Sequence, residues 1–121
     1  NTGQYASAYH YLSASINLNP KFAPAFMCLG IALARMNDPG NAMQAYEKAV
    51  GLDGEDYMTH LNYAVTLANC GEHDKSQQHL DVYKSLLKTL DEDAVSNMDD
   101  EVTRMARDLD AQLRTTGRGR R

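Results

Sequence analysis

Four histidines, two cysteines and a run of neighbouring acids are the side chains here that could hold a metal or attack a carbonyl. A helix that binds zinc places its ligands at short, recurrent spacings, as in HExxH or two histidines four residues apart. His10, His60, His73 and His79 show neither spacing, and Cys28 and Cys70 have no second ligand beside them. A lone thiol becomes a nucleophile only with a base or a cation at its side. Cys28 therefore reads as a small buried hydrophobe, His60 as the occupant of a packing position, His10 and His79 as helix residues, and His73 as part of a turn. No GxGxxG or GxxxxGKS string is present to cradle phosphate. Asp99 and Asp100 are adjacent and so diverge around a helix instead of converging on a substrate. The expectation is a chain with no catalytic residue, no metal site and no cofactor.

What remains is surface, and its charge is uneven. All 16 acids lie before Arg114, together with only eight of the 12 basic residues, while Arg114, Arg118, Arg120 and Arg121 crowd the last eight positions. An acidic body argues against a nucleic-acid face there. The arginine tail leaves room for a weak contact with RNA or an acidic lipid surface, but without aromatics to stack it reads as solvated. The cysteines form neither a zinc pair nor a disulfide framework, which fits reduced thiols in the cytoplasm. No apolar run is long enough to span a membrane.

The elements that organise this surface recur. Between Ala23 and Asp56, Phe26, Leu29, Gly30 and Leu33 form one amphipathic block, and Ala42, Tyr46 and Ala49 form a second behind Asn37-Asp38-Pro39-Gly40. The same landmarks recur at a 34-residue offset, a pattern that resembles the tetratricopeptide repeat, two antiparallel helices that bury their apolar faces only by stacking on neighbours. Residues 1–20 match the second helix of such a repeat, with Tyr5, Ala8, Leu12 and Ser15 ending at Pro20; residues 23–56 are a full repeat; residues 57–88 are a degenerate one. The first of these lacks its own first helix, so Tyr5, Ala8, Tyr9 and Leu12 should be half covered, and the chain reads as a piece of something longer. In the third, His60 stands where a large aromatic is usual and Tyr83 where a small residue is expected. Gly54 replaces a usual proline, which predicts a loose junction. The acidic stretch 91–101 reads as a solvated connector. Ser96 then caps a helix over 96–113 whose stripe of Val102, Met105, Ala106, Leu109 and Leu113 covers the third repeat. Residues 114–121 are expected to be disordered. The fold predicted is an all-α, right-handed solenoid with a C-terminal capping helix.

By repeat position, a groove is lined by Met27, Cys28, Ile31, Ala34 and Arg35 from one repeat and Leu61, Asn62, Val65, Ala68 and Asn69 from the next. It is mostly apolar. A carboxylate clamp needs charge-assisted donors, and with Met27 and Leu61 at the lysine positions only Arg35, Asn62 and Asn69 could serve, so a clamp is not expected. Helix packing and a partner segment are both open uses of the stripe.

Three strings go further than the generic repeat: AFMCLGIALARMNDPGNAMQAYEKAVGLD at 25–53, LNYAVTLANCGEHDKS at 61–76 and MDDEVTRMARDLDAQL at 98–113. Together they resemble the C-terminal repeats and following helix of the fourth Bardet-Biedl syndrome protein family, tetratricopeptide subunits of the BBSome. The resemblance implies a non-enzymatic scaffold whose partners are other BBSome subunits, acting at the ciliary base, the centrosomal region and the cilium in intraflagellar transport of membrane-protein cargo. A generic tetratricopeptide adaptor, such as a co-chaperone or cell-cycle complex subunit with a peptide in its groove, is the alternative.

Overall fold

A computed structural model describes the backbone of residues 2–119 and the side chains of residues 3–115. Seven helices and no strands are found among the described residues: α1 (Thr2–Leu18), α2 (Ala23–Arg35), α3 (Pro39–Leu52), α4 (Tyr57–Asn69), α5 (His73–Leu87), α6 (Glu92–Ser96) and α7 (Asp100–Gly119). Helices α2 and α3 pair, as do α4 and α5, while α1 packs on α2, α3 on α4, and α7 on both α4 and α5. The fold is an all-α tetratricopeptide solenoid.

The interhelix turns are built identically one repeat apart. In the first, Asn37 takes a left-handed backbone (φ 63°) and the Asp38 amide donates back to the Leu33 carbonyl at 2.9 Å. In the second, Gly71 takes that conformation (φ 82°) and the Glu72 amide donates to the Leu67 carbonyl, also at 2.9 Å. This closes the last turn of each inner helix and gives a second donor to a carbonyl that also accepts an amide three residues on, that of Met36 or of Cys70, at 3.1 Å. The reversal therefore falls on Asn37, one of the few non-glycine residue types that tolerates it. Asp38-Pro39-Gly40 is no chain break: Asp38 is the N-cap position of α3, Pro39 begins the helix, and Gly40 lies inside it.

Inside the central pair, Gly30 lies against the ring of Tyr46, where a Cβ on residue 30 would come within 2.7 Å of a ring carbon. Tyr46, Ala42 and Ala49 are almost completely buried, with Leu33 and Ala45 beside them. Tyr46 also stacks on Tyr63 of the next repeat, with centroids 5.5 Å apart. The aromatic ring is thus shared between repeats, which couples the folding of one to the next. Tyr5, Ala8, Tyr9 and Leu12 of α1 are half-buried, while Tyr11 and Leu18 are 75% and 89% exposed.

The C-terminal region departs from the sequence reading in three ways. The acidic connector contains a helix, α6, because Asp91 accepts the Ala94 amide at 2.7 Å and starts a turn on its own. Ser96 ends α6 instead of capping the next helix; Asp99 takes that part, accepting the Glu101 amide at 2.9 Å. Helix α7 starts at Asp100 and continues beyond Leu113 to Gly119, so residues 114–119, expected to be disordered, are helical. Asp110 helps to hold this extension by binding Lys84 of α5 and Arg114 one turn on. Arg120 and Arg121 lie outside the described residues. Leu109 and Leu113 sink into a cluster with Leu61, Ala64, Ala68, Leu80 and Tyr83, so α7 occupies the place of a next repeat's inner helix.

Candidate protein-binding groove

The inner helices α2 and α4 and the cap α7 together border a depression of about 230 Å³. The structure brings together six of the ten groove residues expected from repeat position: Ile31, Ala34, Arg35, Asn62, Val65 and Asn69. Met27 stands beside them, half-buried, with the Asn62 amide 4.0 Å from its sulfur.

Three expected residues, Leu61, Ala68 and Cys28, do not line it. Leu61 is fully buried in the cluster beneath α7, because the cap covers this flank of α4 and converts a groove position into core. Ala68 is buried there too. Cys28 is exposed, correcting its reading as a buried hydrophobe. Neighbouring protein still crowds its sulfur enough to push the thiol pKa up, and the Asp56 carboxylate adds to this. A thiol held protonated is a poor nucleophile.

Three contributors were missed. Thr66 of α4 and Tyr46 of α3 also line the depression, their hydroxyl oxygens 3.4 Å apart, and Met105 arrives from α7. Met105 could have been foreseen from the α7 stripe, had the seat of that helix been known. The polar groups are mostly engaged: Asn62 donates to the Met58 carbonyl at 2.9 Å and Thr66 to the Asn62 carbonyl at 3.1 Å. Burial raises the Tyr46 pKa, so its phenol stays neutral. Only Arg35 brings a full positive charge. The site can therefore cover an apolar segment and pin one acidic or amide group, and it lacks the paired cations of a carboxylate clamp.

The histidines are more ordered than their spacing suggests. His73 is the first residue of α5 and not part of the turn. His60, 4% exposed, places Nε2 2.8 Å from the Gly54 carbonyl, so that nitrogen must donate. Its Nδ1 is then the acceptor for the Nδ1–H of His79, 3.0 Å away on α5. His79 in turn lies on the Tyr63 ring, whose hydroxyl donates to Glu47 at 2.8 Å. Burial and that carboxylate raise the Tyr63 pKa far above the ordinary phenol value. The junction at Gly54, expected to be loose, is tied by this chain of bonds. Nineteen residues separate the two histidines, a spacing set by the facing of antiparallel helices and invisible to any single-helix rule.

Stacked helix pairs, a ring shared across repeats and a mostly apolar inner groove define a tetratricopeptide-repeat protein-interaction fold. The tetratricopeptide repeat family model matches residues 23–56. The chain is similar to the BBSome complex member BBS4 of Mus musculus, 39% identical over 110 residues, and to that of Bos taurus, 41% identical over 111. Each match covers 91% of this chain and 21% of the relative, so the chain spans about a fifth of the length of the curated relatives it matches. Among solved structures, the Yersinia enterocolitica type III secretion translocator chaperone SycD superposes with a TM-score of 0.78 at 20% identity, over 95% of this chain and 76% of that one. The TPR2B-domain:pHsp70 complex of yeast Sti1 gives 0.76 at 15% identity, over 91% and 86%. At such identities these two likenesses speak for the fold alone.

Proposed function

We propose that this chain is a non-enzymatic scaffold segment of a BBS4-like BBSome subunit, and that its inner groove holds a segment of another subunit. The observation that carries the reading is the groove itself: Ile31, Val65 and Met105 are half-buried, unlike the fully covered leucines behind them, and Arg35 is the lone cation at their edge. A surface of this kind suits a lasting subunit contact, where apolar area dominates, better than a transient receptor for charged peptide ends. Similarity to BBS4 supplies the complex, and with it the expectation of work in ciliary membrane-protein trafficking.

Ile31→Glu and Val65→Glu place a carboxylate on the apolar floor and leave the residues of the Gly30 and Tyr46 contact unchanged. Each variant, tagged and purified from ciliated cells, should lose most of the co-purifying BBSome subunits while its circular dichroism spectrum stays helical. Undiminished recovery of those subunits would overturn the groove assignment.

A further inference from the structure

Wherever two outer helices lie side by side, a furrow opens between them, floored by the inner helix they share. Between α3 and α5 the chain sets its own rings into this furrow, and the cavity left beside Tyr63 and His79 is about 280 Å³. His79 lies with its ring centre 4.4 Å from that of Tyr63 and 5.2 Å from that of His60, and the bonds of His60 lock the stack. One repeat earlier, between α1 and α3, the residues corresponding to His79, Tyr63 and His60 are Ala45, Leu29 and Phe26. Ala45 offers no ring. A cavity of about 500 Å³ opens there, floored by Phe26, Leu29, Leu33 and Met36 and flanked by Tyr9 and Ala45. It shares no lining residue with the inner groove. Its rim is polar: Asp38 is engaged by the Asn41 amide at 2.9 Å, which leaves the exposed Lys48 as the rim's cation on an otherwise acidic body.

We propose that the furrow between α1 and α3 is a docking site for an aromatic side chain of a partner polypeptide, carried next to an acidic residue that Lys48 engages. The ring is called for by the equivalent furrow, where an imidazole occupies the corresponding position and the open volume is about 280 Å³ against about 500 Å³ here. A volume of about 500 Å³ is also that of a small-ligand pocket. Aromatic side chains seated in such pockets dominate many interfaces, because they bury large area at small entropic cost. The acid is called for by Lys48. A second copy of this chain fits these terms poorly: its exposed aromatics, Tyr11 and Phe22, have His10 and Lys21 as neighbours and no acid beside them.

The test is a nuclear magnetic resonance titration of the 121-residue chain with the capped tripeptide Ac-Glu-Trp-Glu-amide, against Ac-Glu-Ala-Glu-amide. The tryptophan peptide should shift the amides of Leu29, Leu33 and Ala45, and the alanine peptide should not. Ala45→Phe, which supplies the missing ring from within, should weaken binding by about tenfold or more, the order expected for a lost aromatic anchor. Lys48→Glu, on the exposed rim where folding is not at stake, should weaken it as well. Equal responses to the two peptides, shifts confined to other residues, or full affinity in both furrow variants would each overturn the proposal. So would a concentration-dependent dimer abolished by Ala45→Phe, which would assign the furrow to a second copy.

Discussion

The central helix pair and the pair after it solve one packing problem with different residues. In α2 and α3, Gly30 faces Tyr46 and the next outward position is Ala49; in α4 and α5 the corresponding residues are Ala64, Leu80 and Tyr83. The ring has moved three residues along the outer helix. Adding a Cβ at residue 64 and shrinking the facing side chain to leucine keeps the helices at similar separation, while Tyr83 turns its bulk toward Tyr57 and the cluster that receives α7. Ser76 adds a buried hydroxyl that donates to the Ala64 carbonyl at 2.7 Å, binding the pair without volume. The interface fixes the sum of facing volumes and leaves their division free.

Removing the shared ring tests this most severely. Tyr46→Ala should cost about 3–5 kcal/mol, the range for emptying an aromatic site, because it leaves Gly30 with nothing to face and strips Tyr63 of its stacking partner. Chemical denaturation should then show two transitions in place of one, the C-terminal pair and α7 melting apart from α1 to α3; a single transition at the original midpoint would break the comparison.

A smaller effect is expected from Gly30→Ala, which imports the choice of the later pair. Its Cβ must displace the buried Tyr46 ring, at a cost of about 1–3 kcal/mol for overpacking. Adding Tyr46→Leu should recover part of that loss, since the double variant reproduces the Ala64 and Leu80 pairing. A double-mutant cycle from urea midpoints gives the coupling directly, and strict additivity would show that the two pairs do not obey one volume rule.

Much of this was legible in advance. Gly30, Tyr46 and their 34-residue echoes follow from periodicity, and so does the helical stripe of α7. Leu61 was not, because a repeat position says which way a side chain points and not which neighbour will cover it. Nor was α6, since five residues are too few for a period and only the Asp91 cap marks it. The His60 and His79 contact joins positions on different helices that neither period nor motif relates.

That contact also gives the smallest expected effect. Burial lowers the His79 pKa, the His60 ring lowers it further, and Glu47 opposes them in part. An unfolded chain therefore takes up the proton first as pH falls. The stabilisation is complete above the ordinary histidine value of 6.5 and is lost as pH falls below it toward the lowered folded value. The denaturation midpoint should decline over this window, and His79→Phe should flatten that decline. An equal slope in both proteins would show that the later pair does not depend on its histidine bond.

The outward faces of α7 and α1 differ in chemistry. Helix α7 seats Leu109 and Leu113 inward and turns Arg104, Arg107, Asp108 and Arg114 outward, so a helix approaching that end would have to strip water from four charges. At the other end, α1 offers Tyr11 and Leu18 to any newcomer. A helix laid on α7 would thus have to displace water held by charges, whereas one laid on this part of α1 would cover apolar side chains.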